Sequence, residues 1–468
     1  MYAFFHPELA AVATQVYDEQ LRYETGGYST TSVAAVQRDR LKSVLEYAHS
    51  NSTFYSRRLD AFVAAHPNGF ELADVDHIPF TTKDDLRMAR HDIASQPLEK
   101  AWVYYETTGT TGPATPCPRN EIDSIVNNTA LILRYREVLA QHGDVHIIGI
   151  MGPTELHSTG DTFEDVFRAL GHTVVKMWPR SPLVGIERAL NLIEDLGITA
   201  LVCTPGVAVE LARHLIRAGE SPAKLRLKCL FALGELITPQ LLANLGTIWN
   251  TTIYNCMYAS QEASILAVVC ADGKQRTVPL NNYYELIDPD TTRHIEVPLD
   301  GSDARGELVV TNLYRGQKPL IRYRTGDMVV ASATGDGGWV IEPVGRVRDT
   351  VELCGRKFTA YEIEASIFEH LNGCLDYQIS VTDGEGGEFL DIVIEIPYAK
   401  DDSQVELLAR HVELRLGVRT TVRRGETDAL TGTAAMVSWK AARFHDRRST
   451  GVDDERIVAQ RLAASRRQ

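Results

Sequence analysis

A short loop rich in hydroxyl groups and glycine is the first stretch of the sequence that could do chemistry. In YYETTGTTGPATPC, which begins at Tyr104, four threonines and two glycines fill the six residues from Thr107 to Gly112. Glycine lets the backbone approach a phosphate closely, and hydroxyl groups add donors for its oxygens. The loop is not a Walker A loop, because no GK[ST] follows, and it contains no GxGxxG fingerprint. It is therefore either a phosphate loop of another type or a threonine-rich surface turn.

The elements around the loop predict an α/β fold. The strand-like run AWVYYE precedes the loop, and three further buried strands follow, DVHIIGIMG, HTVVKMW and ITALVCTP. Helical patterns alternate with them in TFEDVFRALG, GIERALNLIEDLG and GVAVELARHLIRAG. This alternation, with short turns bounded by glycine, predicts a mostly parallel sheet.

The pattern changes twice toward the C-terminus. Between about residues 280 and 345, short strand-like runs separated by turns predict an antiparallel, barrel-like section. After Gly345 the composition becomes that of a compact α+β domain. We therefore expect a large domain over residues 1–345 and a small one over residues 346–468.

Two helical segments are predicted before the loop. The run LKSVLEYAHSNSTFYSRRLD predicts one helix from Leu41 to about Asp60 that frays at its asparagine and serine. In TTKDDLRMA, Thr82 and Asp85 have the spacing of an N-terminal capping pair.

Charge and cysteine content limit the partners. The 468 residues carry 48 Lys and Arg against 62 Asp and Glu, a net charge of −14, which argues against a general nucleic-acid or membrane-surface binder. The seven cysteines show no CxxC pair, as expected in a reducing compartment. No basic stretch precedes the first apolar run, and no run reaches the ~18 residues of a membrane span. We expect a cytoplasmic protein.

Several motifs follow the loop in a particular order. They are ALGELI (232–237), YNCMYASQE (254–262), IRYRTGD (321–327), GRVRDTVELCGRKFTAYEIE (345–364) and SWKAARFHDRR (438–448). Together with the early STFYSRRL and HIPFTTKDDLR, this series resembles the adenylate-forming superfamily of acyl- and aryl-CoA ligases, in its phenylacetate-CoA ligase-like branch. The resemblance extends from about residue 40 to 448.

The resemblance implies a fold and a reaction. The fold would be a large multi-sheet α/β N-terminal domain and a small mobile α+β C-terminal domain that carries a catalytic lysine. In the reaction, a carboxylate attacks the α-phosphate of ATP to give an acyl-adenylate and pyrophosphate, and the acyl group then passes to CoA. Because two anions must meet, such a site needs cations and oriented dipoles.

The resemblance also assigns roles to residues. The phosphates would be held by Thr107, Thr108, Gly109, Thr110, Thr111 and Gly112. The adenine and the nearby acyl carbonyl would lie beside Gly234, Glu235, Leu236, Tyr258 and Ala259. Glu262 would hold Mg²⁺, and Asp327 would bind the ribose hydroxyls. Without the resemblance, Glu262 would be a solvated surface glutamate and Asp327 a turn residue after glycine.

Three basic residues in the last part of the chain complete the implied machinery. Arg346 would reach the ribose or a phosphate, or else form a structural salt bridge. Arg348 lies at the position of the hinge between the domains. Lys440, in WKAARF, would bridge the carboxylate and phosphate oxygens during adenylation, although a lysine near a C-terminus is usually a solvated charge.

The acid substrate is indicated only by the stretch GIMGPTELHSTG. Met151 would pack against an apolar ring, and His157 could meet a polar substituent or be an ordinary packed or exposed histidine. We expect an aromatic or otherwise cyclic carboxylic acid.

The chain departs from the family pattern at several positions. Pro113 and Ala114 stand where the loop usually has lysine and then proline, so charge must come from Mg²⁺, Arg346 and Lys440. Ala259 and Gln261 replace the usual glycine and hydroxyl residue, and Cys256 replaces an aspartate that contacts adenine. These changes favour a specialised enzyme, as found in secondary-metabolite pathways.

The same departures leave other functions open. The acyl acceptor could be an amine or a carrier-protein thiol instead of CoA. The chain could also be a degenerate homologue that binds nucleotide without turnover. Retention of Glu262, Asp327, Arg346 and Lys440 argues against the last of these.

Overall fold

The computed structural model describes residues 6–67, 69–107, 113–234, 237–384, 387–397, 403–425 and 443–448. The chain forms two compact units. The first unit comprises Met1–Gly143, Thr154–Gly171 and Met257–Pro343, and the second comprises Asp144–Pro153, His172–Cys256 and Val344–Gln468.

The helices among the described residues are α1 Pro7–Glu24, α2 Thr30–Asn51, α3 Thr53–Ala65, α4 Lys83–Ala89, α5 Glu121–Ala140, α6 Thr159–Ala169, α7 Gly185–Asp195, α8 Pro205–Arg217, α9 Pro239–Trp249, α10 Ala360–Phe368 and α11 Ser403–Leu416. The strands are β1 Val103–Glu106, β2 Pro116–Arg119, β3 Ile147–Met151, β4 Thr173–Lys176, β5 Ala200–Cys203, β6 Cys229–Ala232, β7 Thr252–Asn255, β8 Met257–Ser260, β9 Ser264–Val269, β10 Gln275–Thr277, β11 Asn282–Ile287, β12 His294–Ile295, β13 Ala304–Asn312, β14 Tyr323–Ala333, β15 Trp339–Arg346, β16 Thr350–Leu353, β17 Arg356–Thr359, β18 Asp376–Gly384, β19 Gly387–Glu395, β20 Arg419–Arg424 and β21 Phe444–Asp446.

An antiparallel sheet dominates the first unit. Eight described strands pair in the order β12-β11-β13-β14-β15-β10-β9-β8. Its core includes apolar side chains of α2 and α3, such as Leu41 and Leu59, and inward residues of the sheet, such as Leu308 and Tyr323. The predicted antiparallel section is therefore confirmed, but these described strands form an open sheet and not a closed barrel, since β12 and β8 lie at its edges.

The second unit contains the predicted parallel sheet. Five described strands pair in the order β4-β3-β5-β6-β7, and every pairing between them is parallel. The strand–helix alternation between residues 144 and 256 is thus confirmed. After residue 345, β16 and β17 pair as a two-stranded antiparallel sheet, and four further described strands form a mixed sheet in the order β20-β19-β18-β21. This is the α+β pattern expected there.

One helix of the sequence analysis is wrong in its bounds. The segment predicted as a single helix from Leu41 to about Asp60 is the end of α2 and the beginning of α3. Ser52 separates them because its backbone is extended, with φ −103° and ψ 124°, and its hydroxyl accepts a hydrogen bond from the Tyr55 amide at 3.2 Å. A serine that caps a new helix ends the previous one.

The segment before α4 is fixed to the beginning of β14. Thr82 and Asp85 form the predicted capping box of α4. The preceding residue, Thr81, forms a β-bridge with Tyr323, in which the Thr81 amide donates to the Arg322 carbonyl at 2.9 Å. The first residue of α4, Lys83, is thereby held close to β14.

Arg322 also stabilises the junction between β14 and the segment before α4. Its guanidinium group, with a side-chain exposure of 5%, forms an ion pair with Glu285 at 2.7 Å. It also donates to the carbonyl oxygens of Asp76 and Ile78, at 2.8 and 2.7 Å. One buried arginine therefore joins β11, β14 and the segment that leads to α4.

We expect Arg322→Met to lower the free energy of unfolding by about 3–5 kcal/mol, because it leaves Glu285 buried without its cation. Urea unfolding followed by circular dichroism measures the loss. The additional change Glu285→Leu should recover part of it, and Arg57→Met, at an exposed position of α3, should stay within about 0.5 kcal/mol of wild type. A loss below ~1 kcal/mol in Arg322→Met would contradict this role.

Candidate active site

Glu262 lies in the hairpin turn that joins β8 and β9. The two strands are antiparallel, and Ser260 pairs with Ser264 across the turn. Ser264 has the left-handed backbone conformation, φ +61°, that a short hairpin loop of this kind requires. The Ala263 amide donates to the Ser260 hydroxyl at 3.0 Å. The motif YASQE is therefore a strand with its turn, and the turn fixes the position of Glu262.

The Glu262 carboxylate is nearly buried, with a side-chain exposure of 7%, and it has two polar neighbours. Its Oε1 atom lies 3.2 Å from the Lys83 Nζ atom and accepts a hydrogen bond from the Tyr323 hydroxyl at 2.9 Å. Burial raises the pKa of Glu262, but the positive charge of Lys83 and the hydrogen bonds outweigh it and lower the pKa to about 2. Glu262 is therefore ionised at neutral pH.

Asp327 and Tyr258 form a second polar pair in the first unit. The Tyr258 hydroxyl donates to Oδ2 of Asp327 at 2.8 Å. Asp327 follows Gly326, which has a φ of +73°. In this part of β14 the pairing with β13 shifts its register between Glu307 and Val309. Because Asp327 and Tyr323 are both on β14, this strand connects the Tyr258 pair to the Glu262 carboxylate.

Further cations line a small polar cavity next to Glu262. Arg119 and Lys318 are among its lining residues, together with Asp123. Lys318 is buried, and its Nζ atom donates to the Pro116 carbonyl at 2.7 Å. The surroundings of Glu262 thus contain several positive groups, which suits an anionic ligand.

The threonine–glycine loop is fixed at its two ends. The Thr107 amide donates to the Thr115 carbonyl at 3.1 Å, and the Thr115 amide donates to the Thr107 hydroxyl at 2.9 Å. Among the predicted phosphate ligands, only Thr107 falls within the described part of the chain. Thr108, Gly109, Thr110, Thr111 and Gly112 lie outside the described residues.

His157 is a half-buried, neutral histidine in the first unit. Its Nδ1 atom accepts from the Thr159 amide at 3.3 Å and lies 2.8 Å from the Thr159 hydroxyl. Burial, and to a lesser extent the charge of Arg119, lower the pKa of His157 to about 4. The adjacent Ser158 hydroxyl donates to the Gln261 side chain at 2.6 Å, so the residue before Glu262 holds this segment.

Other predicted site residues lie in the second unit. Gly234 follows β6 and has a φ of +82°, which favours glycine. Met151 ends β3 and is fully buried in the core of this unit. Cys256 is also buried, and its amide donates to the Ala232 carbonyl at 2.9 Å.

Of the three basic residues predicted to act in the last part of the chain, Arg346 and Arg348 belong to the described residues. Arg346 is exposed at the end of β15. Arg348, in the short 3₁₀ helix Val347–Asp349, lies 3.8 Å from the Asp349 carboxylate. Lys440 is outside the described residues, as are Glu235 and Leu236.

The fold of the chain is similar to that of adenylate-forming ligases. A structure of 2-hydroxyisobutyryl-CoA ligase in complex with 2-HIB-AMP has a TM-score of 0.73 at 19% identity and covers 95% of this chain and 94% of its own. An acyl acid amido synthetase in complex with 2,4-DB has a TM-score of 0.63 at 13% identity and covers 92% and 93%. These likenesses establish the fold.

Sequence relatives are named phenylacetate-coenzyme A ligase. The protein of Thermus thermophilus is 29% identical over 368 residues, 74% of this chain and 78% of the relative. That of Pseudomonas putida is 26% identical over 441 residues, 90% of this chain and 96% of the relative. The chain is thus a homologue of CoA ligases with an adenylate-forming fold, which confirms the resemblance. The prediction that it is an acid–thiol ligase is supported by the same relatives.

No protein-family model matches the sequence. Within the described part of the chain, no helix combines the length and apolar character that crossing a membrane requires.

Two residues of the site were missed by sequence reasoning. In the sequence, Lys83 stands within the capping motif TTKDDLR and Tyr323 within IRYRTGD, and neither motif by itself indicates a contact with Glu262. Their chemical types, an ammonium and a phenol inside motifs of the resemblance, were the available signal. Their contact with Glu262 depends on the pairing of Thr81 with β14.

We expect Lys83→Met to move acid unfolding to higher pH. Without the ammonium group, burial dominates and the pKa of Glu262 rises from about 2. A carboxyl group with a depressed pKa stabilises the folded state above its unfolded value of about 4.3 and loses this contribution as the pH falls through the folded value. The wild type should lose it between about pH 4.3 and 2, whereas Lys83→Met, in which burial dominates, lacks this contribution already at neutral pH and should therefore unfold at a higher pH than the wild type.

Unfolding followed by circular dichroism between neutral and acid pH measures this shift. Lys83→Arg keeps the charge and serves as the matched control. Identical acid midpoints for wild type and Lys83→Met would show that Lys83 does not set the ionisation of Glu262.

Proposed function

We propose that the protein uses ATP to activate a carboxylic acid as an acyl-adenylate, with release of pyrophosphate, and then transfers the acyl group to CoA. The observation that carries the proposal is the ionised, nearly buried Glu262 carboxylate beside Lys83. It is supported by the homology to proteins named phenylacetate-coenzyme A ligase and by the adenylate-forming fold.

The donor at Glu262 fits Mg²⁺. Magnesium prefers charged oxygen ligands and is commonly held by one or two carboxylates together with substrate phosphates. The Glu262 carboxylate, held by Lys83 and Tyr323 at Oε1, would be the protein ligand of the ion. When bound, Mg²⁺ would neutralise negative charge on the phosphates.

Lys83 offers a cation that the phosphate loop lacks. Its ammonium group is fixed at the first turn of α4 and lies beside Glu262, where it can also offset phosphate charge. The two hydrogen bonds between Thr107 and Thr115 would hold the ends of the loop while its amides and hydroxyls bind oxygens. If Lys83 supplies the positive charge, the loop can have Pro113 and Ala114 where lysine and proline are usual.

Asp327 suits the ribose of the nucleotide. An ionised aspartate can accept hydrogen bonds from two hydroxyl groups, each worth roughly 1.5–3 kcal/mol. The Tyr258 hydroxyl, at 2.8 Å, orients the carboxylate. By the resemblance, the adenine would contact Tyr258 and Ala259.

Residues 346–468 would act as the mobile domain of the reaction, with Arg348 at the hinge. In this proposal Lys440 bridges the carboxylate and phosphate oxygens during the first half-reaction, and Arg346 reaches the ribose or a phosphate. The positive groups are needed there because the acid and the nucleotide repel each other before the adenylate exists.

The acid is proposed to be aromatic. Relatives named phenylacetate-coenzyme A ligase support this class. The neutral His157 would meet a polar substituent by a hydrogen bond without a charge, because its pKa of about 4 leaves it unprotonated at neutral pH.

Pyrophosphate release with a panel of aryl, arylacetic and short aliphatic acids tests the proposal. We expect release with at least one aromatic acid, and Glu262→Gln should lower it ~10²–10³-fold, as is typical for the loss of one electrostatic group. The matched control is Glu99→Gln at an exposed glutamate, which should be as active as wild type.

Mass spectrometry of products then identifies the acceptor. Reactions with CoA, with amines and with neither should yield an acyl-CoA only in the first. An amide product would identify an amine, and not CoA, as the acyl acceptor. Binding of ATP without pyrophosphate release from any acid would contradict catalysis and identify a nucleotide-binding homologue.

A further inference from the structure

Two histidines and an aspartate come together at the surface of the first unit. His66 follows the end of α3, and Asp74 and His77 belong to the 3₁₀ helix Leu72–His77. One nitrogen of each histidine and one carboxylate oxygen of Asp74 all lie within 4.8 Å of one another. None of the three residues has a role in the proposed reaction.

The backbone explains why these side chains meet. A 3₁₀ helix has three residues per turn, so side chains three positions apart are eclipsed. Asp74 and His77 have this spacing and therefore project on the same side. The rings of His66 and His77 are stacked, with centroids 6.1 Å apart and planes 22° apart.

Hydrogen bonds outside the cluster orient two of the three ligands. The His66 Nδ1 atom is 2.8 Å from the Phe62 carbonyl and must donate to it, which leaves the Nε2 atom with its lone pair. This Nε2 atom lies 3.9 Å from Oδ1 of Asp74. The other oxygen, Oδ2, accepts from the Glu71 amide at 2.8 Å. A backbone partner on the second nitrogen is the usual support of a metal-binding histidine.

We propose that His66, Asp74 and His77 bind one late first-row divalent cation, of which Zn²⁺ is the representative, with water in the remaining position. Two imidazoles and one carboxylate suit zinc, cobalt or nickel, whereas magnesium and calcium prefer oxygen ligands alone. Ligand atoms around tetrahedral zinc are about 3.3 Å apart, given bonds of ~2.0 Å. Movements of roughly 1 Å by the partly exposed side chains would close the site.

A second cluster in the other unit has similar donors, so the experiment must separate the two. Glu369, His370 and His411 also lie within 4.8 Å of one another. Here the His411 Nε2 atom is 3.1 Å from the Glu369 carboxylate. The first cluster is the better candidate because the supporting hydrogen bonds of His66 and Asp74 leave one ligand atom of each directed into the cluster.

Calorimetric titration of the full-length chain with ZnCl₂ tests the proposal. The protein carries no polyhistidine tag and is first freed of metal with a chelator. The variants are His77→Ala, at an exposed position, and Asp74→Asn, which keeps the acceptor for the Glu71 amide. The matched control, His370→Ala, disrupts the second cluster.

We expect one equivalent of Zn²⁺ to bind wild type and His370→Ala alike, and to raise the melting temperature of both. In His77→Ala and Asp74→Asn this equivalent should bind at least ~10-fold more weakly, because changes to the residues around a metal commonly lower its affinity by this factor or more. Circular dichroism checks that both variants are folded. Absence of zinc binding in wild type, or zinc affinity unchanged in both variants, would overturn the proposal.

Discussion

One ammonium group sustains the negative charge of Glu262. A carboxylate with 7% side-chain exposure would ordinarily become neutral, because burial disfavours its charged form. Lys83, at 3.2 Å, reverses this outcome, with a hydrogen bond from the Glu262 backbone and then that from Tyr323 as smaller contributions. In the proposed reaction the carboxylate would hold Mg²⁺ and the ammonium group would offset phosphate charge, and a neutral acid would be a poorer ligand for the metal.

Three elements of the first unit bring Glu262, Tyr323 and Lys83 together. Glu262 is held by a hairpin turn, Tyr323 begins β14, and Lys83 begins α4. The β-bridge of Thr81 joins α4 to β14, and the buried Arg322 stabilises the same junction. Because Asp327 lies further along β14, the same strand positions the proposed ribose ligand. In the proposed reaction, β14 would therefore position both Tyr323, which contacts Glu262, and the ribose ligand Asp327.

The fold class could be predicted because it depends on local patterns. Strand–helix alternation between residues 144 and 256 was enough to predict a parallel sheet, and the capping spacing of Thr82 and Asp85 was enough to place the start of α4. The break at Ser52 was missed, because a serine capable of capping is also compatible with a frayed helix.

The site was only partly predictable for a physical reason. Glu262 and Asp327 stand in motifs that resemble a known family, and the structure puts Tyr258 beside Asp327. Lys83 could not be assigned by periodicity or capping, since its contact with Glu262 depends on strand register and on a bridge between distant segments. Arg346, Lys440 and the loop from Thr108 to Gly112 keep their roles as predictions from the sequence.

The most direct measurement is ATP–pyrophosphate exchange by Lys83→Met, compared with Lys83→Arg, in the presence of an accepted acid. Exchange reports the first half-reaction alone, in which the acid and nucleotide charges must be brought together. If Lys83 sustains Glu262 and contributes a cation to the phosphate site, Lys83→Met should lose ~10²–10³-fold in exchange rate, while Lys83→Arg should keep most of it. Exchange at the wild-type rate in a folded Lys83→Met would contradict the dependence of the site on this ion pair.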